Sequence, residues 1–206
     1  MAPLAVRRTA EGAGASYPRA PLVDGAGRPL RASGLDPHAP YCFFYPYVST
    51  PCLLLDLRAV VAPAEPAAGD RRPGGVGAAR SIVAYTAICP HEWSHPNPAF
   101  SPILYAAPGE PAVLTGGRDR LIVCCTHGSV FDPAVGGRVE QSPARIPLAS
   151  VVLEWDAASD GLAAVGVSGP TSFERFFTSF EGDQRLAAEP ARVILLAAYS
   201  KVVGRC

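Results

Sequence analysis

The sequence lacks a charge bias: 18 Lys and Arg residues balance 18 Asp and Glu, and only 17% of the side chains are charged. A neutral, sparsely charged chain carries no electrostatic footprint for nucleic acid or an anionic membrane surface, so no nucleic-acid partner is expected. It also lacks a long apolar run. The longest, Cys52–Leu55 and Val193–Ala198, fall far short of the roughly 18 residues that cross a bilayer, so no membrane span is expected. Arg7 and Arg8 are not followed by an apolar stretch, so neither a Sec nor a twin-Arg signal is complete, which points to the cytoplasm. Six cysteines in 206 residues are too few for a disulfide scaffold, and aromatics make up only 8%.

Glycine and proline are plentiful, at 20 and 22 residues, which suits many short strands joined by turns. Residues 1–40 hold few large apolar groups and read as an irregular arm. Cys52–Val61 reads as a buried strand, and Ala62–Ala79 as a Pro/Gly/Ala loop. Ser81–Ala87 and Leu121–Cys124 are β-branched strands, each leading into a turn. The prolines and glycines of 92–120 exclude a single regular element there. Val151–Trp155 and Leu162–Val167, split by Asp160-Gly161, predict a β-hairpin. Phe173–Phe180 suggests a helical turn or two, and Ala191–Val203 a strand or docking segment.

Two clusters carry chemistry: Cys89-x-His91 and Cys124-x-x-His127, each on a turn after a strand and each offering one thiolate and one imidazole. Such a set suits a [2Fe–2S] cluster with two thiolates on one iron and two neutral imidazoles on the other. Replacing two thiolates by imidazoles removes negative charge and raises the potential, to about −150 to +300 mV against about −400 mV for all-Cys plant-type clusters. A structural zinc site takes the same donors and stays open as the alternative, although the Cys-x2–4-Cys knuckles usual for zinc are absent.

The strings CPH and CCTHGSVFDP resemble the two boxes of Rieske iron–sulfur proteins, C-x-H and C-x-x-H-G-S. The resemblance implies an all-β fold of antiparallel sheets with the cluster held between two loops of a small subdomain. It implies Cys89, His91, Cys124 and His127 as ligands of one [2Fe–2S] cluster, Ser129 as donor to a bridging sulfide, and Pro143 in a loop covering the cluster. Quinol-oxidising Rieske proteins carry a further Cys in each box and join them by a disulfide. The matching positions here are Ser94 and Thr126, and their sulfur-bonding Tyr is replaced by Phe131. Both changes imply a potential below that of the cytochrome bc1 type.

The order FFYPYVSTPCLLLDL, GGVG, SIVAYTAICPH, SVFDPAVGG and LEWDAASDGLAAVGVSG, within 43–169, is similar to the Rieske subunit of arsenite oxidase. That implies an electron-transfer subunit, not catalytic by itself, beside a large molybdopterin oxidoreductase subunit. A cytochrome c or cupredoxin is the implied acceptor, and the periplasm the implied compartment. Box 2 departs from that subfamily's C-x-x-H-F-S, and the stretch 92–123 is longer than usual. A stand-alone Rieske ferredoxin or a quinol:cytochrome c reductase-like protein is the alternative. The resulting division is an arm over 1–40, a Rieske domain over 41–169 with cluster-binding loops 88–132 and inter-box loop 92–120, and an extension over 170–206. An oxygenase is excluded, because its mononuclear iron site needs histidines and a further domain that the chain lacks. Cys125 reads as a thiol packed beside the site, Cys52 as a core thiol, and Cys42 and Cys206 as unpaired. His95 reads as a surface or hydrogen-bonded residue rather than a ligand, and Trp93 as either a docking or a packed aromatic.

Overall fold

The structure is a computed structural model and describes residues 7–8, 14–64, 72–169, 173, 176, 183–201 and 206. In chain order the strands are β1 (Arg7–Arg8), β2 (Gly14–Val23), β3 (Tyr41–Phe44), β4 (Pro51–Asp56), β5 (Ile82–Thr86), β6 (Ile103–Ala106) and β7 (Leu121–Cys124). Then come β8 (Ser129–Asp132), β9 (Arg138–Gln141), β10 (Ser150–Asp156), β11 (Gly161–Ser168), β12 (Ala191–Arg192) and β13 (Ile194–Leu195). One helical turn, Leu196–Tyr199, follows β13.

The strands form two sheets. The larger runs β1-β2-β11-β10-β5-β4-β3-β13, with β12 alongside β2; the smaller runs β6-β7-β8-β9. All pairs are antiparallel except β12 with β2. β4 is buried on both faces, which is why PCLLLD is a continuous apolar run rather than an alternating one. Cys52 and Leu54 face a core shared with Phe43, Ala84, Val151 and Ala164. Leu53 and Leu55 face the opposite way, where Tyr85 and Val83 meet Ile103, Ile122 and Phe131 of the smaller sheet. A third apolar cluster lies on the other face of the small sheet, around Val123 and Val130.

The hairpin Ser150–Asp156/Gly161–Ser168 forms where the sequence predicts it, with Asp156 opposite Gly161. The strand expected over Cys52–Val61 stops at Asp56. There the Asp56 carboxylate accepts the Ser81 hydroxyl at 2.6 Å and the Arg58 amide at 3.0 Å, and Arg58 turns the chain at φ +52°. The stretch 1–40 is not irregular throughout. It contains β2, a ten-residue strand inside the large sheet. Pro18 and Pro21 conceal it in the sequence, but Pro18 falls in the register shift between Ala20 and Ser16, where a missing amide is tolerated. Residues beyond it are tied down as well: Ser33 bonds the Asp160 carboxylate through both its amide (3.0 Å) and its hydroxyl (2.6 Å).

Most of Phe173–Phe180 lies outside the described residues, as does 65–71 of the loop after β4. Phe173 and Phe176 are buried, with Phe173 edge-on to Tyr17 and stacked on Tyr47. The apolar run Ala191–Val203 supplies β12, β13 and the helical turn, so its described part docks on strands β2 and β3.

Gly137 follows the β8 strand at φ +69°, and a Cβ there would meet the Leu148 Cβ and the Tyr85 ring at 3.1 Å. Gly109, at φ +74°, has open space around it. Gly137→Ala is therefore expected to cost about 1–3 kcal/mol more than Gly109→Ala, since both pay for the backbone but only one for the clash. Urea unfolding of the two variants measures the difference.

Candidate metal centre

Two strand ends build the site. After β5 the chain makes a closed turn in which the Cys89 amide donates to Ser94 O (2.8 Å) and the Trp93 amide donates back to Cys89 O (2.8 Å). Trp93 takes φ +58° to allow this. After β7 a second turn is closed by the Gly128 amide on Cys124 O at 2.9 Å, with Gly128 at φ +84°. The β7–β8 register sets Ser129 directly opposite Cys124.

These turns bring Cys89, His91, Cys124 and His127 together. Both cysteines are buried, at 1% and 0% exposure, and neighbour each other closely enough for their thiols to be coupled. Cys124 is held well below the ordinary thiol range, first by the Cys89 thiol and then by Thr126 and the His127 backbone, against the opposing effect of burial. Cys89 is pushed far up by the Cys124 thiol and by burial.

The imidazoles of His91 and His127, two and three residues after the cysteines, pair edge to face, with ring centroids 4.9 Å apart and planes at 79°. The His91 Nδ1 is buried and has no hydrogen-bond partner. A buried polar atom without a partner is costly, and coordination of a metal ion would satisfy such a nitrogen. His127 is 39% exposed and its Nε2 sits 3.5 Å from the Glu92 carboxylate. Donor atoms of His91, Glu92 and His127 fall within 4.8 Å of one another. Two soft, buried thiols and two partly exposed imidazoles on the same two turns fit a [2Fe–2S] cluster with unequal irons, and the donor types alone also suit zinc.

The supporting residues surround this set. The Ser129 side chain is fully buried; its oxygen accepts the Ala144 amide at 2.9 Å, and its hydroxyl partly counters the rise of the Cys89 thiol. Pro143 precedes Ala144, so this bond brings the Ser142–Ala144 turn to the site. Phe131 is buried in the same apolar layer as Cys89 and Cys124, where it offers no hydrogen bond. Ser94 and Thr126 act through the Ser94 carbonyl to the Cys89 amide and through Thr126 to the Cys124 sulfur. The His95 Nδ1–H donates to Trp93 O (2.8 Å), and the ring packs edge-on against Phe176. Trp93 is half-buried against the core, so it is at least partly a packing residue.

Two expectations fail. Cys125 is not a free thiol and Cys206 is not unpaired, because the two form a disulfide across 81 residues of sequence. No local spacing reveals such a pairing. Cys42, Cys52, Cys89 and Cys124 remain free and buried, and the Cys52 thiol donates to Tyr45 O at 3.2 Å. Glu92 was not singled out in the sequence, although its place beside His91 made it visible.

No family model matches the sequence. The fold is similar to that of the soluble domain of the Rieske protein II (soxF) from Sulfolobus acidocaldarius, with a TM-score of 0.50 and 24% identity. The match covers 73% of this chain and 78% of that one. The chain therefore has the Rieske fold, in agreement with its all-β architecture.

Ser129→Ala removes the acceptor of a buried amide. It is expected to destabilise the chain by about 1–3 kcal/mol in urea unfolding, the cost of leaving the Ala144 N–H unpaired.

Proposed function

We propose that the chain is a one-electron carrier holding a single Rieske-type [2Fe–2S] cluster on Cys89, His91, Cys124 and His127. The observation that carries this reading is a pair of buried, free cysteines on two turns that also bring two imidazoles together, one of which keeps a buried and unpartnered Nδ1. Such a cluster, when bound, takes up and gives back one electron without making or breaking a substrate bond. The residues supply the rest. Cys89 and Cys124 keep their sulfurs out of water, while the exposed edge of His127 leaves a short path to a partner. In this reading the buried Ser129 hydroxyl donates to the cluster's sulfur, stabilises extra negative charge and so favours the reduced state. Phe131 adds no second donor, and Ser94 and Thr126 add no bridge between the turns. These features support a potential below that of quinol-oxidising relatives.

The order of motifs over 43–169 supports a narrower role, as the small subunit of a molybdopterin oxidoreductase of arsenite-oxidase type. In that role the large subunit is the donor, and a cytochrome c or cupredoxin is the acceptor. In this reading the chain is not catalytic by itself. Co-purification with a molybdopterin subunit that reduces the cluster in the presence of arsenite tests it; a chain that purifies alone and is not reduced by such a subunit overturns the narrower role.

Iron and acid-labile sulfide analysis with a reduced-state EPR spectrum tests the broader one. A rhombic Rieske signal is expected, and zinc in place of iron overturns the reading. His127→Cys should abolish or reshape that signal. Ser129→Ala should keep the cluster and lower the midpoint potential. A hydrogen bond to a charged group is worth about 1.5–3 kcal/mol, so the fall is bounded at on the order of 60–130 mV for one electron.

A further inference from the structure

The chain places a second cysteine, Cys125, directly after Cys124, two residues before His127. A thiolate there is softer than imidazole and stronger as an iron ligand, so an iron–sulfur turn with adjacent cysteines has a built-in competitor. The structure shows what becomes of it. Cys124 points into the apolar layer with Cys89 and Phe131, whereas Cys125 lies on the opposite face of the small sheet, against Leu104, Leu114 and Val123. There it is bonded to Cys206.

The same contact pins the turn from outside. The Cys125 amide donates to Pro102 O at 2.7 Å, and Cys206 O accepts the Leu114 amide at 2.8 Å. The Leu114 methyl in turn stands 3.7 Å from where a Gly128 Cβ would be. The approach to Cys206 is also fastened to the inter-box stretch. The Ser200 hydroxyl bonds Asn97 O at 2.5 Å, and Lys201 O accepts the Ser101 amide at 3.0 Å.

We infer that the Cys125–Cys206 disulfide is a positioning element of the cluster site: it sequesters the Cys125 thiol from iron so that His127 is the second ligand of its turn. This rests on the Rieske reading above. The C-terminal segment thus completes the ligand turn rather than forming an appendage to it.

Three variants test this: Cys206→Ser, Cys125→Ser and the double variant, each purified with its cluster. Cys206→Ser frees Cys125 and is expected to lose Rieske EPR signal per iron, with a second species of lower midpoint potential. Cys125→Ser and the double variant lack the competing thiol and should keep one homogeneous Rieske signal. They should lose iron to a chelator faster, on the order of ten-fold, because the turn is less tightly held. Alkylation of the denatured, unreduced wild type should modify the four cysteines that are free in the structure. Six modified cysteines would overturn the inference. So would a Cys206→Ser spectrum and potential equal to wild type, or equal losses in all three variants, which would make the disulfide a stability element alone. Those results leave the Rieske reading standing if the wild type shows its signal; a wild type without it overturns both.

Discussion

The distance between the two ligand turns is set by the packing of the small sheet on the large one. Leu53, Leu55 and Tyr85 on one side interleave with Ile103, Ile122 and Phe131 on the other, and Cys89 and Cys124 belong to the same layer. Each such side chain contributes about 1.5–3 kcal/mol through burial, so the layer is far stiffer than either turn alone. β5 and β7 enter it from different sheets and leave it at the same end. The thiols therefore meet through core packing, and the imidazoles, two and three residues further along, reach the rim. Depth in the layer separates sulfur from nitrogen.

That separation has an electrostatic logic. Two thiolates side by side without water would repel strongly, so burial and mutual proximity push the Cys89 thiol up while Cys124 is lowered. Thr126, the His127 backbone and the Ser129 hydroxyl lie where they favour negative charge on the sulfurs. The imidazoles occupy the wetter position, where the Glu92 carboxylate lies 3.5 Å from His127.

The sequence revealed the site better than the frame around it. Cys89-x-His91 and Cys124-x-x-His127 are local spacings, so a candidate set of donors could be picked out from them directly. The strands Ile82–Thr86 and Leu121–Cys124 were legible for the same reason, as short β-branched runs ended by turns. β2 was not, because Pro18, Pro21 and its small residues carry no strand signal; its place depends on β11 offering a register that tolerates Pro18. β12 and β13 are two residues each and exist only because β2 and β3 leave edges for them. The Cys125–Cys206 pairing depends on the whole route of the chain from one cysteine to the other, which no composition or spacing contains.

The two turns are consequently held by different means. The first relies on its own hydrogen bonds and on aromatic packing, with Trp93 against the core and His95 on Phe176. The second is covalently anchored on its outer side, through Cys125, and paired to Ser129 on its inner side. Where a bridge between the turns would hold them to each other, here each is held to the body of the protein instead. The cost is that their mutual spacing depends on the full sandwich and on the segment from β12 to Cys206. The gap between His91 and His127 is crossed by the Glu92 carboxylate, 3.5 Å from His127 Nε2, and by no disulfide, so the rim of the site is joined only by a non-covalent contact among the described residues.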